Sequence, residues 1–272
     1  MSIIKKDMKT IISLLISITP EPIIDVIRKV TVYERFEPYV QQKVVDNIPF
    51  KFLISDPTGE DWYRDYQCLS PEMSFTKSMV KPDDVIIEVG AHHGFTTILL
   101  SNWISKEGSL IAFECSPHNV SILEKNIELN DIHNVKIIGK AVSSEDGYAH
   151  ISGGSNTSIV HKTWNTSCKV EMTKLDNYYH LKPTFLKIDA EGYEIEILKG
   201  ARRIMKTKPK LAIEVHIKEL KSLGQTPKDL LDLIDSNSYK IFLQSNGKTA
   251  PYPYDNRPIE MNSQVHLYAI PK

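Results

Sequence analysis

Cysteine is scarce in this chain, and neither sign of charge dominates it. The 272 residues include only three cysteines, Cys68, Cys115 and Cys168, which are too isolated for a disulfide framework or a cysteine-based zinc site. Lysine and arginine number 33 against 34 acidic residues, a formal net charge of -1, so no overall basic field attracts nucleic acid. These absences favour the reducing cytoplasm and exclude nucleic acid as an expected partner.

No hydrophobic run at the start of the chain is long enough for a transmembrane segment. The apolar run at residues 11–18 is too short to span a bilayer, and no small-residue cleavage site follows it. Helical spacing continues at residues 23–32, so we expect a helical cap to about residue 45, with peripheral membrane contact as an alternative role. We expect residues 1–80 to form an N-terminal part that contains this cap and a short strand at 49–53. A catalytic domain would follow at 81–272.

A buried strand followed by a glycine turn is the most informative local pattern. Valine and isoleucine at 85–89 suit a strand covered on both faces, and Gly90 and Gly94 follow it. Glycine lets the backbone turn sharply and approach a ligand, and a helix-like run follows at once. The loop therefore lies at the carboxyl end of a strand, where open α/β sheets bind ligands. A purely structural turn is the alternative for this loop taken alone.

The second predicted strand ends in Glu114, about 20 residues beyond the loop, where doubly wound folds place the acid that binds a ribose. A dinucleotide site needs G-x-G-x-x-G, whereas this chain has only Gly90-x-x-x-Gly94, and Glu88 would repel a phosphate. S-adenosylmethionine has a ribose and two cationic groups but no phosphate, so we expect it as cofactor. A third strand leads to Ala141 at the same edge, where adenine would lie. The expected cofactor-binding residues are Glu88, Gly90, Ala91, Gly94, Glu114, Ala141 and Asp189.

Two further apolar strands end in clusters of ionisable residues, Asp189 with Glu191 and Glu214 with His216. Parallel strands place their carboxyl ends together, so these side chains should converge on the glycine loop. Methyl transfer to a hydroxyl needs an in-line approach and removal of the hydroxyl proton. We favour Asp189 and His216 as the catalytic pair. Helix capping by Asp189 and a core role for His216 are the structural alternatives. The same pair can hold a divalent metal, although no residue is assigned to one.

Residues 147–170 interrupt the alternation of strands and helices with a polar, β-prone segment. An insertion of this length is a lid or substrate loop, or else a β-hairpin on the sheet edge. The last two predicted strands are joined by a loop that contains Tyr252, Tyr254 and Arg257. These three can line an acceptor pocket, but a solvated loop is the favoured interpretation.

Several motifs together resemble the FkbM family of methyltransferases, over about residues 83–217. They are Glu88-Val-Gly90-Ala-His-His-Gly94, Ala112-Phe-Glu114, Glu124-Lys-Asn126-Ile-Glu-Leu-Asn130, Leu186-Lys-Ile-Asp189-Ala-Glu191-Gly192-Tyr-Glu-Ile-Glu-Ile-Leu198-Lys-Gly200-Ala201 and Ile213-Glu214-Val-His216. The resemblance implies a class I S-adenosylmethionine fold and O-methylation of hydroxyls on sugars, polyketides or other small metabolites. Cys115 and Ser116, and the pair His92-His93, depart from the family's usual residues.

The predicted fold is α/β: a doubly wound, mostly parallel, seven-stranded Rossmann-like methyltransferase sheet with an antiparallel edge strand and an N-terminal helical extension. The predicted function is S-adenosylmethionine-dependent O-methylation of a small hydroxylated metabolite, a sugar or a glycan. The alternatives are an NAD-linked oxidoreductase and a non-catalytic nucleoside-binding protein. A homo-oligomer is compatible with the sequence.

Overall fold

The computed structural model of the protein describes residues 36–152, 155, 158–160, 168–245, 249–255, 257–259 and 264–272. The described chain begins with an antiparallel hairpin of β1 (Tyr39–Val45) and β2 (Ile48–Ile54), followed by α1 (Pro57–Tyr63) and α2 (Pro71–Met79). The predicted helical cap lies mostly outside the described residues. Where that prediction extends over β1 the structure has a strand, because the alternating burial of β1 and β2 packs one face of the hairpin against the core.

The first half of the large sheet is a regular alternation of strands and helices. Its elements are β3 (Val85–Val89), α3 (Phe95–Trp103), β4 (Ser109–Phe113), α4 (Pro117–Leu129) and β5 (Val135–Ile138). Ser116 caps the amino end of α4 by accepting a hydrogen bond from the Asn119 backbone, and Pro117 occupies the first turn. The three strands are parallel, so their carboxyl ends lie together.

The predicted insertion at 147–170 and the residues that flank it form a small separate sheet. Its strands are β6 (Ala141–Val142), β7 (Gly147–Ser152), β8 (Ser158–Val160) and β9 (Cys168–Thr173), in the order β6-β9-β7-β8. A 3-10 helix, Leu175–Leu181, leads back to the large sheet. The predicted break in the βα alternation therefore corresponds to strands that pair with one another and not with the large sheet.

The second half of the large sheet completes the fold. Its elements are β10 (Phe185–Asp189), α5 (Glu194–Lys199), α6 (Arg202–Met205), β11 (Lys210–Val215), α7 (Ile217–Ser222), α8 (Pro227–Leu231), β12 (Tyr239–Ser245), β13 (Tyr252–Pro253) and β14 (Val265–Pro271). The strand order is β13-β12-β14-β11-β10-β3-β4-β5. Neighbours from β11 to β5 are parallel, and β14 is antiparallel to both β11 and β12.

The predicted doubly wound, mostly parallel α/β fold is confirmed, with two differences of detail. The described residues give eight strands instead of seven, because the two-residue β13 pairs with the outer side of β12. The antiparallel strand β14 lies inside the sheet and not at its edge. Its residues from Val265 to Ala269 are all buried, which suits an interior position between two neighbours.

Apolar side chains cover both faces of the sheet. Ile87 and Val89 belong to one buried cluster, whereas Ile86 of the same strand belongs to the other. Because side chains alternate along a strand, β3 is buried on both faces and its carboxyl end is the place where a ligand has access. Among the described residues, no helix combines the length and the hydropathy that crossing a membrane requires.

Candidate active site

The glycine loop joins three strand ends. The N–H groups of Gly90 and Ala91 both donate to the Phe113 carbonyl oxygen, at 2.9 and 3.0 Å. Gly90 has a φ of +84°, and a Cβ at this position would lie 1.8 Å from the Asp189 carbonyl oxygen. Any side chain at residue 90 would therefore push the ends of β3 and β10 apart, so the position requires glycine.

Glu114 lies at the end of β4 and fixes the loop from the other side. Its Oε2 accepts a hydrogen bond from the His92 backbone N–H at 2.8 Å, and its Oε1 accepts one from the Ser116 N–H at 2.8 Å. The Asn119 amide adds a longer contact of 3.4 Å to Oε1. Burial raises the pKa of Glu114 above its ordinary value, although the two backbone hydrogen bonds oppose the shift. The carboxylate thus orders the loop and also faces the cleft beside it.

Two residues predicted to bind cofactor, Glu88 and Gly94, do not line the cleft. Glu88 is fully buried, and its Oε2 accepts a hydrogen bond from the Thr97 hydroxyl at 2.6 Å. Its Oε1 has no hydrogen-bond partner within the described parts of the chain. Gly94 has a φ of +88° and directly precedes α3, and a Cβ there would lie 2.4 Å from Leu123 Cδ1. The geometry gives both residues a supporting position.

A cleft of about 1040 Å³ opens at the carboxyl ends of β3, β4, β10 and β11. The wall opposite the strand ends comes from the N-terminal region, where Trp62 and Tyr63 close the cleft next to His92. The remaining predicted site residues all line this one cleft, as the parallel arrangement of the strands requires. They are Gly90, Ala91, Glu114, Ala141, Asp189 and His216.

His92 forms part of the cleft wall and is held on both ring nitrogens. Its Nδ1 shares a hydrogen bond with the Tyr63 hydroxyl at 2.7 Å, and its Nε2 shares one with the Ser155 hydroxyl at 2.8 Å. Burial and the neighbouring His93 ring lower the pKa of His92 to about 3. The imidazole is therefore neutral at physiological pH and serves as a fixed polar wall.

His93, the next residue of the glycine loop, is fully buried. Its Nε2 lies 3.3 Å from Asp56 Oδ2, and His118 Nε2 lies 3.0 Å from the same oxygen. The other oxygen of Asp56 accepts the Gly59 N–H at 2.8 Å and so caps α1. One buried carboxylate thus ties the N-terminal region to the glycine loop and to α4.

The far end of the cleft is strongly acidic. Asp189, Glu191 and Glu214 each place a carboxylate oxygen between 3.6 and 3.9 Å from Nε2 of His216. Lys187 Nζ lies 3.3 Å from the second oxygen of Asp189. The structure therefore brings the predicted catalytic pair together, although they make no direct hydrogen bond.

The charges in this end of the cleft shift one another. Burial alone would raise the pKa of Asp189, but the Lys187 ammonium and His216 hold it below its ordinary value. Burial and the Asp189 charge raise the pKa of Glu214 to about 8. Burial alone would lower the pKa of His216, but the hydrogen bond to Glu194 and the Asp189 charge raise it to about 10. Asp189 is thus ionised at neutral pH, and His216 carries a positive charge.

Several side chains that shape this end were not singled out from the sequence. Lys187 could have been identified from the sequence, because a lysine inside an otherwise apolar buried strand is unusual. His266 had a weaker signal of the same kind, as a lone histidine in an apolar strand. Glu194 and Glu72 had none, because each lies in an ordinary helical segment whose position only the fold reveals. In contrast, Tyr252, Tyr254 and Arg257 do not line the cleft.

Comparison with known proteins gives a family and a fold. The sequence model of the methyltransferase FkbM domain matches residues 88–241, which is more than half of the chain. The structure is similar to that of the methyltransferase FkbM from Methylobacillus flagellatus KT, with a TM-score of 0.51 and 18% identity over 77% of this chain and 50% of that one. The chain thus spans about half the length of that protein. At this identity the likeness concerns the fold alone.

Two other solved structures have lower TM-scores. A precorrin-6y C5,15-methyltransferase from Geobacter metallireducens GS-15 has a TM-score of 0.44 and 14% identity over 74% of this chain and 86% of that one. Aeropyrum pernix fibrillarin in complex with natively bound S-adenosyl-L-methionine has a TM-score of 0.41 and 14% identity over 71% of this chain and 68% of that one. Both scores lie below 0.5, so these two structures add nothing to the assignment. None of the curated proteins matches the sequence.

Proposed function

Because this chain belongs to the FkbM methyltransferase family, we propose that it transfers a methyl group from S-adenosylmethionine to a hydroxyl group of a small metabolite or sugar. One observation carries the proposal. Glu114 lies where doubly wound folds place the acid that binds a ribose, and it lines the same cleft as the ionised Asp189, with Gly90 between them. A nucleoside held at the first acid would extend along the strand ends toward the second.

The hydrogen-bond acceptor positions of the Glu114 carboxylate fit a ribose. A carboxylate has about four acceptor positions, and the described contacts use two on Oε1 and one on Oε2. With respect to the described residues, the remaining position on Oε2 can accept a hydrogen bond from a sugar hydroxyl, and charge-assisted hydrogen bonds of this kind are worth about 1.5 to 3 kcal/mol. Next to Glu114, the apolar side chains of Phe113, Ala141 and Val142 offer a surface that suits a purine ring.

The acidic end of the cleft fits the positive charge and the hydroxyl that methyl transfer requires. When bound, S-adenosylmethionine supplies an electrophilic methyl group on a positively charged sulfur. Asp189, kept ionised by Lys187, accepts a hydrogen bond from the acceptor hydroxyl, orients it and takes up the proton that methylation of the oxygen releases. His216 holds the surrounding carboxylates in place through its charge and its bond to Glu194. Asp189 and His216 thus remain the proposed catalytic pair, with different tasks.

Calorimetric titration with S-adenosylhomocysteine tests the cofactor assignment. We expect the wild-type protein to bind it, and we expect Glu114→Gln to bind at least tenfold more weakly because a charged acceptor becomes a neutral amide, about 1.4 kcal/mol or more. Glu128→Gln is the matched control, since Glu128 is exposed on α4 and lies outside the cleft. Its affinity should equal that of the wild type.

Two results would contradict the proposal. Absence of S-adenosylhomocysteine binding by the folded wild-type protein, together with clear binding of NADH, would favour an NAD-linked oxidoreductase. Binding without methyl transfer to any hydroxylated acceptor would favour a nucleoside-binding protein. Once an acceptor is found, Asp189→Asn should lower kcat by about 100-fold or more. An unchanged kcat in that variant would remove Asp189 from the catalytic machinery.

A further inference from the structure

One ring nitrogen of His216 makes a hydrogen bond, and the other makes none with any residue that the structure describes. Its side chain is only 10% exposed, and Nδ1 donates to Glu194 Oε1 at 2.8 Å. No described residue makes a hydrogen bond to Nε2, which points toward three carboxylate oxygens, from Glu191, Asp189 and Glu214, at 3.6, 3.8 and 3.9 Å. A ring nitrogen that lines the cleft and faces three carboxylates, none of them within hydrogen-bond distance, leaves room for a small cation.

The separations match ligands that share one ion. The ligand atoms of Asp189, Glu214 and His216 all lie within 4.8 Å of one another. Ligands that are each about 2.0 to 2.2 Å from a metal ion lie about 3 to 4.4 Å apart, so only small shifts are needed. Lys187 does not take the required oxygen, because it pairs with Oδ2 of Asp189 whereas Oδ1 faces His216.

Glu194 supplies the supporting bond that a metal-binding histidine normally has. Its side chain is fully buried, and its Oε1 accepts both His216 Nδ1–H and the Gly192 backbone N–H. This carboxylate fixes the ring so that Nε2 is directed into the cleft. Histidines that bind metals almost always donate their other N–H to such a carboxylate, which sets the tautomer and the ring orientation.

A second set of potential ligands lies beside the first and shares Glu214 with Glu72 and His266. Here His266 Nδ1 is 3.7 Å from Glu72 Oε1. No hydrogen bond from any described residue orients the His266 ring, in contrast to the bond that Glu194 makes with His216. The first set is therefore the better prepared for an ion.

We propose that Asp189, Glu214 and His216 form a binding site for one divalent metal ion, with Glu191 close enough to contribute. The ion would take the place of the proton on Nε2 that gives His216 its positive charge when no ion is bound. Two carboxylates and one imidazole suit an ion of the Mn²⁺ or Fe²⁺ type better than Ca²⁺, which prefers oxygen ligands alone. Binding of the ion is independent of the proposed methyl transfer. Its use rests on that function: an ion here would hold the acceptor oxygen and lower its pKa, so that Asp189 acts through the ion.

Electron paramagnetic resonance tests the site directly, because Mn²⁺ loses its free signal when it binds. We expect the full-length wild-type protein to bind one Mn²⁺, and we expect His216→Gln and Asp189→Asn to weaken binding at least tenfold. Glu72→Gln and His266→Gln are the matched controls from the neighbouring set and should stay within twofold of the wild type. Glu194→Gln should weaken binding about 10 to 100-fold without removing any ligand.

Absence of saturable Mn²⁺ binding by the wild type at millimolar concentration would overturn the proposal, and this result does not depend on how any variant folds. Loss of binding in Glu72→Gln and His266→Gln but not in His216→Gln would overturn the assignment by placing the ion in the neighbouring set. Circular dichroism identifies any variant that fails to fold. The separate titration with S-adenosylhomocysteine distinguishes failure of the metal site from failure of the proposed function.

Discussion

The glycine loop offers the sharpest test of how this cleft is held open, through the substitution Gly90→Ala. A Cβ at residue 90 would lie 1.8 Å from the Asp189 carbonyl oxygen, on a backbone whose φ is +84°. Gly224 provides a matched control because its φ is also positive, at +70°, but nothing lies within 4 Å of a Cβ built there. The two alanine variants therefore share the backbone strain and differ in the steric clash.

The expected magnitudes follow from these two terms. A left-handed conformation costs alanine about 1 to 2 kcal/mol relative to glycine, and restriction of the unfolded chain returns about 0.4 to 1 kcal/mol. Gly224→Ala should thus lower the free energy of unfolding by about 0 to 1.6 kcal/mol. Overpacking adds about 1 to 3 kcal/mol, so Gly90→Ala should lower it by about 1 to 5 kcal/mol in all. The clash with the Asp189 carbonyl should also push the ends of β3 and β10 apart and so weaken S-adenosylhomocysteine binding.

Urea unfolding followed by circular dichroism measures both variants under the same conditions, and calorimetry gives their affinity for S-adenosylhomocysteine. We expect the midpoint to fall much further for Gly90→Ala than for Gly224→Ala, with similar slopes. Equal losses of stability in the two variants would refute the reasoning, since the contact with the Asp189 carbonyl would then have no energetic effect. An unchanged affinity for S-adenosylhomocysteine in a destabilised Gly90→Ala variant would show that the conformation of the loop does not control ligand binding.

Two further predictions concern buried carboxylates. Burial alone would raise the pKa of Asp56, but hydrogen bonds, first of all the one from His118, hold this pKa well below its ordinary 3.8. The ionised Asp56 therefore stabilises the folded protein fully above pH 3.8, and this stabilisation is lost as the pH falls below 3.8 toward the folded-state pKa. Urea midpoints measured from about pH 6 to pH 3 should therefore fall less steeply in Asp56→Asn than in the wild type, and parallel curves would contradict this. Thr97→Val removes the hydroxyl that donates to the buried Glu88 and should lower the free energy of unfolding by about 1 to 3 kcal/mol. Thr96→Val, a neighbour outside that bond, should change it little, and an equal loss in the two would rule out the bond as the cause.

Local patterns carried most of the fold. The apolar run of β3, the turn glycine Gly90 and the acid Glu114 after β4 have short-range signatures, and the structure places the loop and the acid together at one edge of the sheet. Local sequence patterns did not predict that Glu88 and Gly94 lie outside the cleft. Whether a residue at a strand end or in the loop after it faces the cleft or the core depends on the helix that packs against it, which for Glu88 is α3 with Thr97.

The sequence by itself determined the doubly wound α/β class and the strand ends at which the site lies, because buried strands and their turns are encoded by hydrophobic periodicity and by glycine over a few residues. Only the tertiary structure decided which ionisable groups meet. Asp189, Glu194 and His216 come from two different βα units, and their distances depend on strand register and helix packing. The position of β14 inside the sheet was likewise a tertiary outcome, since an apolar strand carries no local mark of its neighbours.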